Sequence, residues 1–540
     1  MKRSKRTQVT VGTALPAILE QLGVEVVFGI PGNHTVELYR GLASTGIRHI
    51  TTRHEQGAAF MADGYARVQR KPGVCFLISG PGLLNAATAI TQAHRDGVPL
   101  LVITTCGDTN SNNTGLHEMP DQSRVAQGLG KGHFKLQDPA QLSDTVSKAY
   151  ALSLSPSPGA VILEVGVGLL GQTLSHLPET KPLQQRRKKL TTNQQTQLVS
   201  RLSNAKRPLL LLGGGAQWCA PQELISLAQR LDTPVLNTVN GKGIVPAGHP
   251  LAVGGSPSLA SLKRALAKAD VVLTLGTELA ETDYDLLMNN TPPPQGSWLH
   301  INTGALAVED NRHHQIFRVS VAEAASVLLN HAPQTRRRGA QRAQRLRQQV
   351  QQEHHYHPDF ARVFNAIQQA AEDLILVGDS TRPTYYAAWM YECRAPGRYF
   401  HSASGFGTLG YAIPAALGAS VSSRIPVIAL IGDGGAQFTL TELATAIDNH
   451  LNVPIIIWRN QGYEEITNSL KARGVGASST LVSAPDYRKI AHAYNIPCFS
   501  PRSVEGLTRA IRQTLKLNKP GLILIDQHRF VHSPSGEWYG

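Results

Sequence analysis

The sequence contains one local pattern twice, once towards each end of the chain. The first copy is an apolar run at residues 74–78 that leads into Ser79-Gly80-Pro81-Gly82, and the second is a run at 427–431 that leads into Gly432-Asp433-Gly434-Gly435. A helical stretch and a second apolar run follow in both copies. Each copy therefore predicts a strand, a glycine turn, a helix and a strand. This order is common in α/β proteins, but repeats constrain architecture more than local propensity does, and we interpret the copies as two related domains.

Apolar runs of strand length alternate with helical stretches in the rest of the chain as well. The middle part contains two of these runs, at 208–212 and 271–275, and a glycine follows each. At roughly 150 residues per domain, 540 residues suggest three or four domains. Alternation of strands and helices is typical of parallel sheets with crossover helices. The sequence therefore predicts three doubly wound parallel-sheet α/β domains, at residues 8–180, 190–332 and 356–540.

The net charge of +14 is concentrated in three basic runs, at residues 1–7, 186–189 and 336–348. These runs contain no acidic residue, and the rest of the chain is electrically balanced. Gln, Thr and Pro flank two of the runs, a composition typical of solvated linkers. A nucleic-acid-binding surface would also be basic. We interpret the runs as linkers between domains and expect no nucleic-acid partner.

Neither a membrane nor an oxidising compartment is indicated by the sequence. No uninterrupted apolar run reaches the roughly 18 residues of a membrane span, and the basic N-terminus lacks the apolar core of a signal peptide. The five cysteines lie far apart without a Cys-x-x-Cys pair, so neither a disulfide framework nor a zinc site is predicted. We expect a cytoplasmic protein without a membrane partner.

The glycine turn of the second copy carries residue types suited to a metal and a diphosphate. Glycines at the carboxyl end of a strand let backbone N–H groups approach phosphate oxygens, although a turn with a capping aspartate would look similar. The next apolar run ends in Arg459-Asn460-Gln461-Gly462, at the same predicted edge of the sheet. The Asp433 carboxylate, the Asn460 side-chain carbonyl and the Gly462 backbone carbonyl are the hard oxygen ligands that Mg²⁺ prefers. Together they predict a site for a metal and a diphosphate.

This stretch, residues 432–463, resembles the thiamin-diphosphate-binding motif of the acetolactate synthase and 2-oxoacid decarboxylase superfamily. Further motifs of that family match in order and spacing, and the resemblance covers essentially the whole chain. They are Phe28-Gly29-Ile30-Pro31-Gly32, residues 53–67 and residues 405–416. One departure is Arg459, where the family usually has a second asparagine, but the ligand position is Asn460. The resemblance implies the thiamin-diphosphate-binding fold, thiamin diphosphate and Mg²⁺.

The resemblance also implies roles for individual residues. Glu55 would hydrogen-bond the cofactor's aminopyrimidine and so drive removal of the thiazolium C2 proton, and Leu409 would hold the cofactor bent. The Gly407 carbonyl would accept from its amino group, and Gly434 and Gly435 would lie against the diphosphate. Without the resemblance, Glu55 reads as an ordinary residue on a helix face and Leu409 as core packing. The family places such sites between subunits, so a homodimer or homotetramer is expected.

The finer combination of motifs around His34, residues 116–118 and residues 462–466 looks most like decarboxylases of 5-guanidino-2-oxopentanoate. A guanidinium tail calls for a carboxylate, and the candidates are Glu118, Glu464 and Glu465. Glu464 and Glu465 would also be explained by a first helical turn, where negative charge is stabilised. His34 and His117 are candidate proton relays because imidazole titrates near neutrality, and either could equally be an ordinary polar residue.

Two other functions remain open at this point. A carboligase of the acetolactate synthase type would use the same activating residues to join a 2-oxoacid-derived unit to a second carbonyl. A protein that binds thiamin diphosphate without catalysis is disfavoured by the presence of Glu55, Asp433 and Asn460 together. Some relatives hold FAD in the middle domain, where this chain has Gly213-Gly214-Gly215. A bare glycine run is weak evidence, and we expect no FAD.

Overall fold

The computed structural model describes residues 9–107, 121–155, 157–183, 188–280, 295–304, 306, 308–311, 313–353, 358–460 and 462–530. By its internal contacts the chain divides into two compact units. The first unit comprises the described residues up to 183 together with 413–424 and 439–451. The second comprises the other described residues. The three sheets described below confirm the predicted α/β fold class.

The described residues of the first unit form a six-stranded parallel sheet in the order β2-β1-β3-β4-β6-β5. Its strands are β1 (Val26–Gly29), β2 (Arg48–Thr51), β3 (Gly73–Leu77), β4 (Leu100–Cys106), β5 (Gly132–Leu136) and β6 (Ala160–Gly166). Every residue of β3, β4 and β6 is buried, as expected for a parallel sheet covered on both faces. The helices of this segment are α1 (Val11–Gln21), α2 (Val36–Leu42), α3 (Glu55–Gln69), α4 (Pro81–Arg95), α5 (Gln122–Leu129), α6 (Leu142–Ser153) and α7 (Val167–Leu170).

The middle segment forms a five-stranded parallel sheet among its described residues, in the order β11-β10-β9-β7-β8. Its strands are β7 (Leu209–Leu212), β8 (Val235–Asn237), β9 (Val271–Leu275), β10 (Ser297–Ile301) and β11 (His314–Phe317). The helices are α8 (Thr192–Asn204), α9 (Pro221–Arg230), α10 (Ala260–Lys268), α11 (Val321–His331) and α12 (Gly339–Glu353). The two strands predicted here are β7 and β9, which pair with each other at the centre of the sheet.

The basic run at 336–348 is not a solvated linker, so that interpretation was wrong. Most of it belongs to α12, whose Ala343 and Val350 are buried in the apolar core beside the central sheet. The Arg337 guanidinium donates to the carbonyl oxygens of residues that end α8 and α9, and Arg342 donates to the Pro208 carbonyl. Cationic side chains satisfy the free carbonyls at helix C-termini. The arginines are therefore structural.

The third segment forms a six-stranded parallel sheet among its described residues, in the order β13-β12-β14-β15-β17-β16. Its strands are β12 (Ile375–Gly378), β13 (Tyr399–His401), β14 (Val427–Gly432), β15 (Pro454–Arg459), β16 (Cys498–Phe499) and β17 (Gly521–Asp526). The helices are α13 (Pro358–Ala370), α14 (Arg382–Met390), α15 (Ala412–Ser420), α16 (Asp433–Ala436), α17 (Glu442–Asp448), α18 (Glu464–Ala472), α19 (Tyr487–Ala493), α20 (Val504–Thr514) and α21 (Gln527–Phe530).

The first and third sheets have the same strand order. Numbered from the first strand of each segment, both run 2-1-3-4-6-5. The two copies of the repeated pattern follow β3 and β14, which are the third strands of their sheets. The two copies therefore occupy equivalent places in two sheets of the same topology, which supports the interpretation as related domains.

Two further predictions concern membranes and cysteines. Among the described residues, no helix is both long and apolar enough to cross a membrane. All five cysteines lie in the described part of the chain and are free, and four of them are buried.

Candidate active site

A pocket of about 310 Å³ lies at the carboxyl ends of β12, β14 and β15 in the second unit. Between β12 and β14 the chain order reverses direction across the sheet, and ligands of open α/β sheets bind at such points. Nine of the predicted site residues line this one pocket: Gly407, Leu409, Asp433, Gly434, Gly435, Asn460, Gly462, Glu464 and Glu465.

The glycine turn after β14 leaves no room for side chains. A Cβ on Gly434 would lie 2.7 Å from the Tyr463 ring, and one on Gly435 would lie 3.0 Å from an Asp379 carboxylate oxygen. The neighbouring Asp433 is 2% exposed, and its backbone carbonyl accepts a hydrogen bond from the Tyr487 hydroxyl at 2.5 Å. The Asp433 carboxylate accepts from the Gly434 N–H at 3.0 Å. A buried carboxylate beside a turn of small residues that lines the pocket fits a cation and a diphosphate.

Asn460, the first residue after β15, is held by one hydrogen bond. Its Nδ2 donates to Glu464 Oε2 at 3.0 Å, which leaves its Oδ1 available as an oxygen ligand. Gly462 has a φ of +150°, and a Cβ there would lie 2.6 Å from the Thr480 carbonyl oxygen. Only glycine adopts this backbone conformation readily. The carboxylate, amide oxygen and backbone carbonyl that were predicted as metal ligands all belong to residues lining this pocket.

Glu464 is the centre of a polar network. Its carboxylate accepts from Arg382 Nη1 at 2.7 Å, from Gln527 Nε2 at 2.9 and 3.0 Å, and from Asn460. Gln527 Oε1 in turn accepts from the buried indole N–H of Trp458 at 2.7 Å. The Arg382 side chain is only 6% exposed, and its burial lowers the guanidinium pKa from its usual value. The network places a compensated ion pair in the wall of the pocket.

Glu465 is placed differently from its neighbour. Its side chain is 59% exposed, against 24% for Glu464, and Oε2 lies 4.0 Å from Arg382 Nε. Both acids lie in the first turn of α18, as expected from the preference of acidic residues for that position. The pocket therefore offers one carboxylate that is fully engaged and one that faces open space.

Asp379 anchors the segment that carries Gly407 and Leu409. This buried carboxylate, at the carboxyl end of β12, accepts backbone N–H groups from Ser380 at 2.9 Å, Gly410 at 3.3 Å and Ala412 at 3.0 Å. Burial raises the Asp379 pKa to about 6 although these hydrogen bonds oppose the shift. Gly407 has a φ of +80° and its N–H donates to the Ser402 carbonyl. Leu409 is half-buried and lines the pocket.

Glu55 lies in the first unit, at the first position of α3. It is partly exposed, and Oε2 accepts from Asn85 Nδ2 at 2.9 Å. The preceding backbone N–H groups of Arg53 and His54 donate to the buried carboxylate of Glu442 at 3.0–3.2 Å. A Cβ on Gly64, later in α3, would overlap the Ala415 carbonyl oxygen, so this helix packs closely against residues 413–424. The start of α3 is therefore rigidly held, and Glu55 with it.

His34 lies in the first unit, in a turn of 3-10 helix at Asn33–Thr35 that follows β1. Its Nδ1 is 3.1 Å from the Ser79 hydroxyl, and the Ser79 N–H donates to the Thr105 hydroxyl. His34 and Ser79 follow β1 and β3, at the same edge of the first sheet. The other candidates of this segment, His117 and Glu118, lie outside the described residues.

The glycine run of the middle domain is explained by packing. A Cβ on Gly213 would overlap the Gly276 carbonyl oxygen, and one on Gly215 would lie 3.0 Å from the Gly276 Cα. The loops that follow β7 and β9 therefore touch through their backbones. Nearby, the side-chain oxygens of Asn237, Thr238 and Asn240 are buried without a hydrogen-bond partner among the described residues. The absence of FAD stays a prediction.

Comparison with known proteins agrees with this geometry. Three family models match: the N-terminal TPP binding domain of thiamine pyrophosphate enzymes at residues 9–125, their central domain at 196–328 and their C-terminal TPP binding domain at 379–526. The chain is also 35% identical over 524 residues to a probable 2-ketoarginine decarboxylase, AruI, from Pseudomonas aeruginosa, covering 93% of this chain and 91% of that protein. The chain belongs to the thiamine pyrophosphate enzyme family.

Two acetolactate synthases are more distant relatives. The large subunit of isozyme 1 from Escherichia coli is 29% identical over 478 residues, covering 85% of this chain and 83% of that protein. The large subunit from Lactococcus lactis subsp. lactis is 29% identical over 528 residues, covering 92% and 89%. Membership of this family implies binding of thiamine pyrophosphate, which is thiamin diphosphate, and the activity of a lyase or carboligase.

Several residues of the site escaped the sequence analysis. Asp379 and Arg382 follow the apolar run of β12 directly, so the rule that ligands bind at carboxyl ends of strands could have identified them. Asn85, Glu442 and Gln527 contact site residues that are distant in sequence, and no local pattern indicates them.

Proposed function

We propose that this protein is a thiamin-diphosphate-dependent decarboxylase that converts 5-guanidino-2-oxopentanoate to 4-guanidinobutanal and CO₂. The observation that carries the proposal is the pair Glu464 and Glu465 in the pocket of the diphosphate loop, where Arg382 compensates only one negative charge. A carboxylate is the natural partner of a guanidinium tail. The relative from Pseudomonas aeruginosa supports the assignment, because 2-ketoarginine is the same compound.

The proposed metal is Mg²⁺, held by Asp433, by Oδ1 of Asn460 and by the backbone carbonyl of Gly462. This donor set is all hard oxygen, and diphosphate oxygens and water would complete an octahedron. Gly434 and Gly435 would lie against the diphosphate, with the Gly435 N–H as a donor, since the Gly434 N–H donates to Asp433 Oδ1 at 3.0 Å. The close approach of these glycines to Tyr463 and Asp379 explains why no larger residue occupies the turn.

When bound, thiamin diphosphate supplies a thiazolium carbon that serves as nucleophile and electron sink. Glu55 would accept a hydrogen bond from the aminopyrimidine, and the Gly407 carbonyl would accept from its amino group. Leu409 would hold the two rings in a bent arrangement, so that proton removal becomes intramolecular. Asn85, which donates to Glu55, would fix the orientation of that carboxylate.

The substrate would be recognised at its guanidinium end by acidic residues, for which Glu464, Glu465 and Glu118 are the candidates. The carbon that loses CO₂ must take up a proton, and His34 and His117 are the proposed donors. A histidine suits this step because small changes in its environment move it between acid and base near pH 7. The Ser79 hydroxyl, 3.1 Å from His34 Nδ1, would orient the ring.

The proposed assembly is a homodimer or homotetramer with active sites between subunits, as the resemblance to the acetolactate synthase and 2-oxoacid decarboxylase superfamily implies. Light scattering measures the molar mass of the purified protein, and the same measurement after dilution shows whether the oligomer dissociates. A monomer with full turnover would contradict it.

Product analysis tests the proposed reaction. Purified enzyme with Mg²⁺ and thiamin diphosphate is given one of three 2-oxoacids: 5-guanidino-2-oxopentanoate, pyruvate, or 2-oxohexanoate as a control with an uncharged tail. Each reaction is run with and without an acceptor aldehyde. We expect CO₂ and 4-guanidinobutanal in equal amounts, with the guanidino compound preferred over the neutral acid. Formation of acetolactate from pyruvate would instead establish the carboligase, which the acetolactate synthase relatives support.

A further inference from the structure

Glu464 and Glu465 are adjacent, yet their surroundings differ in a way that separates their functions. The Glu464 carboxylate has four hydrogen-bond contacts of 2.7–3.0 Å from three donor groups, two on each oxygen, because Gln527 Nε2 lies within reach of both oxygens. A carboxylate has about four acceptor positions. Because all of them are occupied, a substrate guanidinium could bind Glu464 only by displacing one of these donors.

The charges of this part of the pocket point the same way. Arg382, 2.7 Å from Glu464, balances that carboxylate within the protein. If a substrate displaced Arg382 from Glu464, the Arg382 cation, whose side chain is only 6% exposed, would lose its partner. An unpaired buried charge strongly destabilises a protein. Glu465 has no hydrogen-bond partner among the described residues, and its 4.0 Å distance from Arg382 exceeds hydrogen-bond length. The uncompensated negative charge therefore belongs to Glu465.

The hydrogen bond from Asn460 Nδ2 to Glu464 indicates a different role for Glu464. An amide can present either its oxygen or its NH₂ group in a given direction, and only the oxygen ligates a metal. Because Nδ2 is bound to Glu464, Oδ1 of Asn460 is the end left for the proposed metal. Hydrogen bonds from neighbouring residues commonly orient metal ligands in this way, and their loss typically costs tenfold to a hundredfold in metal affinity.

We propose that Glu464 is a positioning residue for the metal ligand Asn460, and that Glu465 is the residue of this pocket that recognises the guanidinium of the substrate. The role of Glu465, the second half of the proposal, rests on the proposed function. The role of Glu464, the first half, requires only the proposed metal site. Gln527, which donates to both Glu464 oxygens and is itself held by Trp458, belongs to the positioning group.

The experiment compares Glu464→Gln with Glu465→Gln, two neighbouring substitutions that remove the same charge. Apoenzyme is titrated with Mg²⁺ at fixed thiamin diphosphate and binding is followed by calorimetry, which needs no turnover. We expect Glu464→Gln to raise the apparent Mg²⁺ Kd about tenfold or more, and Glu465→Gln to change it less than about twofold. Gln527→Leu, which keeps every charge, should weaken Mg²⁺ binding in the same direction and serves if Glu464→Gln fails to fold.

The second measurement is the ratio of kcat/KM for 5-guanidino-2-oxopentanoate to that for 2-oxohexanoate, at saturating Mg²⁺. Glu465→Gln should lower this ratio about fivefold, the size expected for a charge pair whose carboxylate is 59% exposed. Gln527→Leu, which keeps both carboxylates and Arg382, should leave it within about twofold of the wild type.

The outcomes are separable from failure of the proposed function. If Glu464→Gln binds Mg²⁺ as the wild type does, or if Gln527→Leu lowers the substrate ratio as Glu465→Gln should, the positioning role is wrong. If only the Glu465 result fails while the wild type still prefers the guanidino acid, the guanidinium is recognised elsewhere and the second half is wrong. A wild type without that preference contradicts the proposed function itself and leaves the Mg²⁺ result standing.

Discussion

Replacing Arg337 by Gln should destabilise the central domain without affecting the chemistry. The Arg337 guanidinium donates to four backbone carbonyls at 2.6–3.1 Å, those of Leu202, Ser203, Ala205 and Leu231. These carbonyls belong to the last residues of α8, its C-cap and the C-cap of α9. Glutamine carries no charge and is too short to reach both helix ends, so most of these carbonyls would lose their donor.

The expected loss follows from the number and kind of these hydrogen bonds. A hydrogen bond to a charged group contributes about 1.5–3 kcal/mol to stability. Four such bonds from one side chain are not independent, and water replaces part of the loss because Arg337 is only half-buried. We expect a loss of about 3 kcal/mol. For a domain of this size, each kcal/mol lowers the Tm by about 2–4 °C, so the transition of the central domain should fall by about 6–12 °C.

Thermal melting with peptide-level hydrogen exchange checks this expectation. Amides near the ends of α8 and α9 should exchange faster in the variant, while turnover per folded molecule at 25 °C should equal that of the wild type. Arg336→Gln is the matched control, because it removes the same charge from a side chain that is exposed. If the two variants melt within about 1 °C of each other, the carbonyl contacts do not stabilise the domain. Lost turnover with unchanged melting would place Arg337 in a site instead.

Three other predictions concern the cofactors. Glu55→Gln should retain thiamin diphosphate but slow deuterium exchange at C2 by about 10²–10⁴-fold, because an amide lacks the carboxylate's basicity; exchange at the wild-type rate, measured by NMR, would contradict the role of Glu55. Asp433→Ala should lose the Mg²⁺-dependent part of cofactor affinity in calorimetry, and unchanged binding would remove Asp433 from the metal site. Purified protein should show no flavin absorption; a band near 450 nm would mean that the Gly213–Gly215 region binds FAD.

The sheets could be predicted from the sequence because their strands are apolar runs that end in turns. The four runs whose bounds are given above, at 74–78, 208–212, 271–275 and 427–431, are the strands β3, β7, β9 and β14. Edge strands were missed: β2 has only four residues, of which one is buried, and β16 has two residues. Short, partly exposed strands leave little periodic signal, and their pairing with β1 and β17 is decided by tertiary structure.

The run of arginines shows where composition misleads. Six arginines without acids look like a solvated segment when only neighbours in sequence are considered. The partners of Arg337 are backbone carbonyls more than a hundred residues earlier in the chain, and backbone groups carry no sequence signal at all. The same reason hides the N–H groups of Gly410 and Ala412, more than thirty residues later in the chain, that Asp379 binds. Interactions between a side chain and a distant backbone require the fold to be known first.

The first and third sheets have the same strand order, but the loops at their carboxyl edges carry different residues. Aligned by the strands β3 and β14, Ser79-Gly80-Pro81-Gly82 occupies the place of Gly432-Asp433-Gly434-Gly435. Gly80 stands where Asp433 carries a carboxylate, and Pro81 lacks the N–H by which Gly434 donates to that carboxylate. The turn of the first sheet therefore has neither the ligand nor the full set of donors that a metal and a diphosphate require. The topology explains why both sheets present loops at the carboxyl edge, but the residues in those loops decide which edge can bind the diphosphate.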